Sequence, residues 1–185
     1  MSTKAPIPIP KKLYSFETGY LYHRCLVCNS DLQNGKEYLI EKMIKVYPGF
    51  TAMDTVFDYA MCLNCAQKMQ EEISEESRLN LTNLYKKSSF SQIDINEEND
   101  IEKCFETCCI TNKKINESSE YQLVALCVKG NLHSDFPPYA ISFDGIVHIN
   151  SILSKSTKEF FDRFYDTYFS PDPSLFNDRP RFVLF

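Results

Sequence analysis

Tryptophan is absent from the 185-residue chain, glycine occurs only five times and histidine three times. Five glycines leave little material for a glycine-rich loop that wraps phosphates. Three scattered histidines do not compose a catalytic cluster. Basic residues are in deficit, 20 against 25 acidic, for a net charge of −5. That argues against coating bare nucleic acid as the main activity, although a local basic patch fits within an acidic whole. No run of 18 apolar residues occurs, so no membrane-spanning helix is expected. Pro6, Pro8 and Pro10 interrupt what would have to be the apolar stretch of a secretory signal. A cytoplasmic, reducing location is therefore expected.

What the chain has is core material and thiols. Hydrophobic residues make up 43% of it, including 14 Phe and 11 Tyr, which makes wholesale disorder a poor description. Eight cysteines in a reducing compartment point to metal ligation before disulfides. Cys25-Leu-Val-Cys28 and Cys62-Leu-Asn-Cys65 repeat one spacing. A CxxC knuckle brings two sulfurs to one tetrahedral ion, and two knuckles complete a four-thiolate shell. Soft thiolates select zinc first, with iron the main competitor. With all four positions filled by protein, no place remains for an activated water, and the expected role of one Zn²⁺ is structural.

The intervening sequence supports this reading. Asn29-Ser30-Asp31 and Asn34-Gly35 are turn signals. Tyr38 to Tyr47 and Thr51 to Tyr59 read as strands around Pro48-Gly49, a pair suited to the centre of a type II turn. Leu63, Ala66, Met69, Gln70 and Ile73 recur at helical spacing after the second knuckle. Ser74 then caps a second helix with Glu75 and Glu76 in its first turn, and Leu79, Leu81 and Leu84 are its expected apolar positions. Knuckle, hairpin, knuckle and helix resemble a treble-clef zinc finger. The resemblance covers residues 24–87 and implies a fold group that serves many unrelated functions.

The remainder reads as a second copy. Shifted by 83 residues, Cys25 to Tyr38 aligns with Cys108 to Tyr121; shifted by 80, Ser74 to Tyr85 aligns with Ser154 to Tyr165. The length difference falls in the hairpin, where Lys129-Gly130-Asn131 replaces Tyr47-Pro48-Gly49. Cys28, Cys62 and Cys65 correspond to Thr111, Ser142 and Gly145, so only Cys108 survives of the four ligands. A second site of the same construction is not expected. Cys104, Cys109 and Cys127 are expected as buried apolar side chains. An irregular site drawing on Cys104, Cys108, Cys109, Cys127 or His133 is the alternative. Without metal, this half must rely on its aromatic residues.

The expected class is α+β: two tandem treble-clef-like units, each a hairpin with helices, the first zinc-bound and the second metal-free. The expected boundaries are an N-terminal arm (1–23), a four-cysteine zinc-binding domain (24–87), an acidic linker (88–102) and a degenerate repeat with an apolar tail (103–185). Tyr14 to Tyr22 is expected to pack on the first hairpin. Phe182-Val183-Leu184-Phe185 is expected to dock either in its own domain or in another molecule.

The function expected from this is a non-catalytic, zinc-stabilised scaffold or adaptor for another macromolecule, with a protein as the first choice of partner and no membrane. No catalytic residue is predicted. One alternative is association with nucleic acid or a ribonucleoprotein through Lys36, Lys42, Lys45, Lys86 and Lys87. The other is a divergent metal-dependent nuclease around His148 and Asn150. The partner His and Asn of the His-metal nuclease signature are not found at fitting positions.

Overall fold

A computed structural model describes residues 6–47, 49–88 and 98–169. Most of the acidic linker, Pro48 and the apolar C-terminal tail lie outside the described residues. β1 (Ile7–Pro8) lies at one edge of the sheet, away from the first hairpin. That hairpin is the antiparallel pair β2 (Glu37–Val46) and β3 (Met53–Cys62). Gly49 stands at φ 85° where Phe50 N–H donates to the Tyr47 carbonyl at 3.1 Å, the geometry a type II turn requires. α1 (Leu63–Glu71) and α2 (Glu75–Lys87) follow, then α3 (Glu98–Cys104).

The second half runs through strands and two helices in a similar order. β4 (Glu120–Val128) turns through Lys129 and Gly130, both at positive φ, into β5 (Asn131–Leu132). Two consecutive positive φ values are what a two-residue hairpin turn needs to follow strand twist. After a loop, β6 (Tyr139–Ser142) pairs again with β4 and leads into α4 (Phe143–Ile152) and α5 (Lys155–Phe169).

The two halves do not stand apart. β2 and β4 pair antiparallel along Glu37–Lys45 and Glu120–Val128, producing one antiparallel sheet ordered β1-β5-β4-β2-β3, with β6 also on β4. At the middle of that pairing Glu41 faces Val124, a residue 83 positions later. The buried hydrophobic residues accordingly form one continuous cluster drawn from both halves.

Side-chain alternation gives the sheet two covered faces. On one, Leu39, Glu41, Met43, Phe57, Tyr59 and Gln122 share the side of the helices. α1 contacts β2 and β3, while α4 contacts β4 and β6. α5 crosses to the first half, setting Tyr165 and Phe169 against Phe57 at ring-centroid distances of 5.9 and 5.5 Å. On the other face, the N-terminal segment covers β2: Leu13 is fully buried and Lys42 Nζ donates to the Tyr14 carbonyl at 2.8 Å. Within Tyr14 to Tyr22, Tyr14, Leu21 and Tyr22 pack on the core, whereas Phe16 and Tyr20 project outward.

One local expectation changes. Leu79 is exposed, because the inward stripe of α2 runs through Ser77 and Leu81.

Candidate metal centre

The first knuckle is built by local backbone bonds. Asn29 adopts φ 54°, a left-handed conformation that Asn tolerates better than most residues, and its N–H donates to the Cys25 carbonyl at 2.9 Å. Cys25 N–H donates to the Ser30 carbonyl, and Leu32 N–H to the His23 carbonyl. These bonds reverse the chain and bring Cys25 and Cys28 to the same side. The second pair comes from the junction of β3 and α1. Cys62 is the residue before the helix and Cys65 lies in its first turn. There the partial positive charge of the helix end favours thiolate.

The paired spacing predicts that these four residues converge, and they do. One Sγ each from Cys25, Cys28, Cys62 and Cys65 lies within 4.8 Å of all the others. Cys28 Sγ and Cys62 Sγ are 3.7 Å apart. Tetrahedral coordination with Zn–S bonds of about 2.3 Å sets sulfur–sulfur separations of about 3.8 Å, so the donor set fits such an ion. Cys62 N–H also points at Cys25 Sγ, 3.3 Å away. Cys25, Cys62 and Cys65 are buried and Cys28 is exposed.

The electrostatics match the placement. The Ser30 hydroxyl and backbone N–H stabilise the Cys28 thiolate, lowering its pKa to about 6. Burial, followed by the neighbouring thiols, pushes Cys65 well up, and burial raises Cys25. Four thiols this close cannot all ionise without a cation between them, so metal binding here must be accompanied by proton release.

The second half has a similar scaffold around a different chemistry. Asn112 stands at φ 57° and donates to the Cys108 carbonyl; Cys108 N–H donates to the Lys113 carbonyl. Ser142 N–H faces Cys108 Sγ at 3.2 Å, as Cys62 N–H faces Cys25 Sγ. Where the first half has thiols, Thr111 Oγ1 and Ser142 Oγ lie 3.3 Å apart, and Ser142 Oγ accepts from Gly145 N–H. A Cβ at Gly145 would come within 2.8 Å of Ile141 Cγ2 and 3.0 Å of Cys108 Sγ. Among the described residues, Cys104, Cys108, Cys109, Cys127 and His133 form no grouping with metal-site geometry. Cys104, Cys108, Cys109 and Cys127 are all buried. His133 Nε2 instead lies 3.1 Å from Glu37 Oε1, and its Nδ1 accepts from Asp135 N–H. His148 lies on an exposed face of α4.

The burial of four polar side chains of the sheet, Glu41, Lys42, Glu120 and Gln122, was not expected from the sequence. Glu41 is fully buried at the centre of the sheet, where Gln122 Nε2 donates to Oε2 at 2.8 Å. Burial raises its carboxyl to about 8, against the opposing pull of Tyr59 and Gln122 hydrogen bonding. Its parity with Leu39 and Met43 was the available signal, since strand residues of one parity share a face. Lys42 is buried on the opposite face, which lowers its pKa, an effect partly offset by Asp58.

Compared with known proteins, the chain matches no family model, no curated protein and no solved structure. No helix among the described residues is long and apolar enough to cross a membrane.

Proposed function

We propose that the chain is a non-catalytic, zinc-stabilised scaffold or adaptor that binds another protein. The convergence of four thiolate ligands carries this reading: Cys25, Cys28, Cys62 and Cys65 can satisfy a tetrahedral ion completely. Zn²⁺ would supply a cross-link between the knuckle and the β3–α1 junction, and no coordination position would be left for substrate. His133 is engaged with Glu37 and with its own turn, which supports a structural role for it.

We further propose that the fold is a tandem duplication of a treble-clef-like unit in which the second copy has lost its metal. The matched knuckle bonds at Cys25 and Cys108 support it, as does the reciprocal pairing of β2 with β4. In the second copy Thr111, Ser142 and Gly145 replace the cross-link with hydrogen bonds and close packing.

Two of the five lysines suited to nucleic acid are withdrawn from that use. Lys42 is buried, and Lys45 Nζ lies 3.9 Å from Glu120 Oε1. This favours a protein partner.

Elemental analysis of reduced, purified protein should find one zinc per chain, and a Cys62→Ser variant should lose it. Affinity purification of the full chain should recover a protein partner by a salt-tolerant interaction. Absence of bound metal would remove the zinc reading; turnover of a substrate without a stable partner would remove the adaptor reading.

A further inference from the structure

The N-terminal segment covers only part of the sheet face opposite the helices. Beside its Lys12 and Phe16 lies a groove of about 330 Å³ over the cross-strand row Tyr121–Ile44–Thr55. Ile44 and Leu123 line it from the sheet, and Phe105 and Ile115 from the chain that follows α3. Phe16 and Met53, also on the lining, are 67% and 60% exposed. Such a volume is at the lower end of the range for small-molecule sites, which combine apolar walls with a few polar groups.

Here the buried polar group is a cation. Lys42 shares its face of β2 with Ile44 and lines the groove, yet the residue is only 7% exposed. Its ammonium has three hydrogens to donate. One goes to the Tyr14 carbonyl at 2.8 Å; among the described residues Lys42 has no second hydrogen-bond partner and no ion pair. Asp58, its cross-strand neighbour, accepts instead from Phe16 N–H and the Tyr22 hydroxyl. A buried ammonium short of partners is costly, and an anion in the groove would complete its bonding. Lys12 is already paired with Glu102 and sits over the Phe105 ring, 5.0 Å from its centroid. The one carboxylate on the lining, Asp54, stands opposite Lys45 on the parity of the other face and accepts from the Tyr47 hydroxyl at 2.7 Å.

We propose that this groove binds a small apolar monocarboxylate, with its carboxylate on Lys42 and its apolar body against Ile44, Phe105 and Leu123. One under-partnered ammonium matches one negative charge, which favours a monocarboxylate over a phosphate or a dicarboxylate. The site uses none of the four knuckle cysteines and lies across the sheet from the helices, so it stands whether or not the adaptor reading holds.

Decanoate is the probe, titrated below its micelle concentration into the full zinc-loaded chain and followed by calorimetry and NMR. Saturable one-to-one binding is expected, with shifts centred on Ile44, Thr55, Tyr121 and Leu123. Decanol and decyltrimethylammonium should bind about tenfold more weakly or not at all, since neither can pair with the ammonium. Thr55→Trp, at a half-buried strand position, should fill the groove and block decanoate. Lys42→Met should weaken decanoate about tenfold or more and leave decanol unchanged. Should Lys42→Met fail to fold, the head-group comparison on the natural chain decides the matter by itself.

No saturation, equal affinity for decanoate and decanol, or shifts centred on Leu39 and Tyr139 across the sheet would overturn the proposal. So would decanoate binding that appears only in a variant lacking Phe182–Phe185, which would make the chain's own C-terminal residues the occupant.

Discussion

Ser74 and Ser154 meet hydroxyl to hydroxyl, Oγ to Oγ at 2.8 Å, although 80 residues separate them. Each caps a helix: Ser74 Oγ accepts from Ser77 N–H, and Ser154 Oγ from Thr157 N–H. Each backbone N–H is then taken by the other half, Ser74 N–H by Thr157 Oγ1 at 3.1 Å and Ser154 N–H by Ser77 Oγ at 2.8 Å. Ser77 and Thr157 are fully buried. Four hydroxyls thus cap two helices and join them at the same time.

Shared capping predicts coupling between the halves. Ser74→Ala and Ser154→Ala should each cost about 0.5–2 kcal/mol, the usual range for a lost N-cap. In the double variant the losses should depart from additivity by about 0.5 kcal/mol or more, because the residues share partners. Urea denaturation of the two single variants and the double variant measures this. Additive losses would mean that the two caps act independently.

Removing the metal should melt more than the knuckle region. Zinc binding in small finger peptides is worth on the order of 10–16 kcal/mol at neutral pH, as much as a typical domain's entire stability of roughly 5–15 kcal/mol. Because β2 is hydrogen-bonded to β4 and one core spans both halves, the loss should spread across the sheet. Cys62→Ser or a strong chelator should therefore give a single cooperative loss of structure in both halves. Hydrogen exchange is the direct readout; protection retained throughout β4 and α4 would refute the shared-core prediction.

Glu41 predicts an unusual pH slope. Its folded pKa, raised to about 8, stands above its ordinary value of 4.5, so the folded chain holds this proton more tightly than the unfolded one. The contribution to stability is complete below the unfolded value. It declines through the interval by about 1.4 kcal/mol per pH unit and is exhausted above the folded value. Tyr59, Tyr85 and Tyr139 nearby are pushed well above their usual range by burial and stay neutral throughout this window. Glu41→Gln should remove that component, leaving the variant more stable than the natural chain at about pH 8 and closer to it at about pH 5. Parallel slopes in denaturation experiments would show that Glu41 does not titrate this way.

Gly145 sets helix propensity against packing. Alanine in a helix gains about 1 kcal/mol over glycine, but overpacking a core costs typically about 1–3 kcal/mol. With Ile141 Cγ2 only 2.8 Å from the added carbon, packing should win. Gly145→Ala is expected to lower the melting temperature, and a rise would show that Ile141 and Cys108 yield easily.

The local pieces were legible in residue order alone: the two CxxC knuckles, the strands around Gly49 and the Ser74 cap. Each depends on residues within a turn or two of one another, where dihedral preference and side-chain spacing act directly. Folding in three dimensions adds that the two hairpins share one sheet, that α5 crosses to Phe57, and that Glu41 and Lys42 are buried on opposite faces. Those outcomes depend on which strand edges meet after folding, and strand pairing across 83 residues is set by competition among long-range contacts that no local spacing encodes.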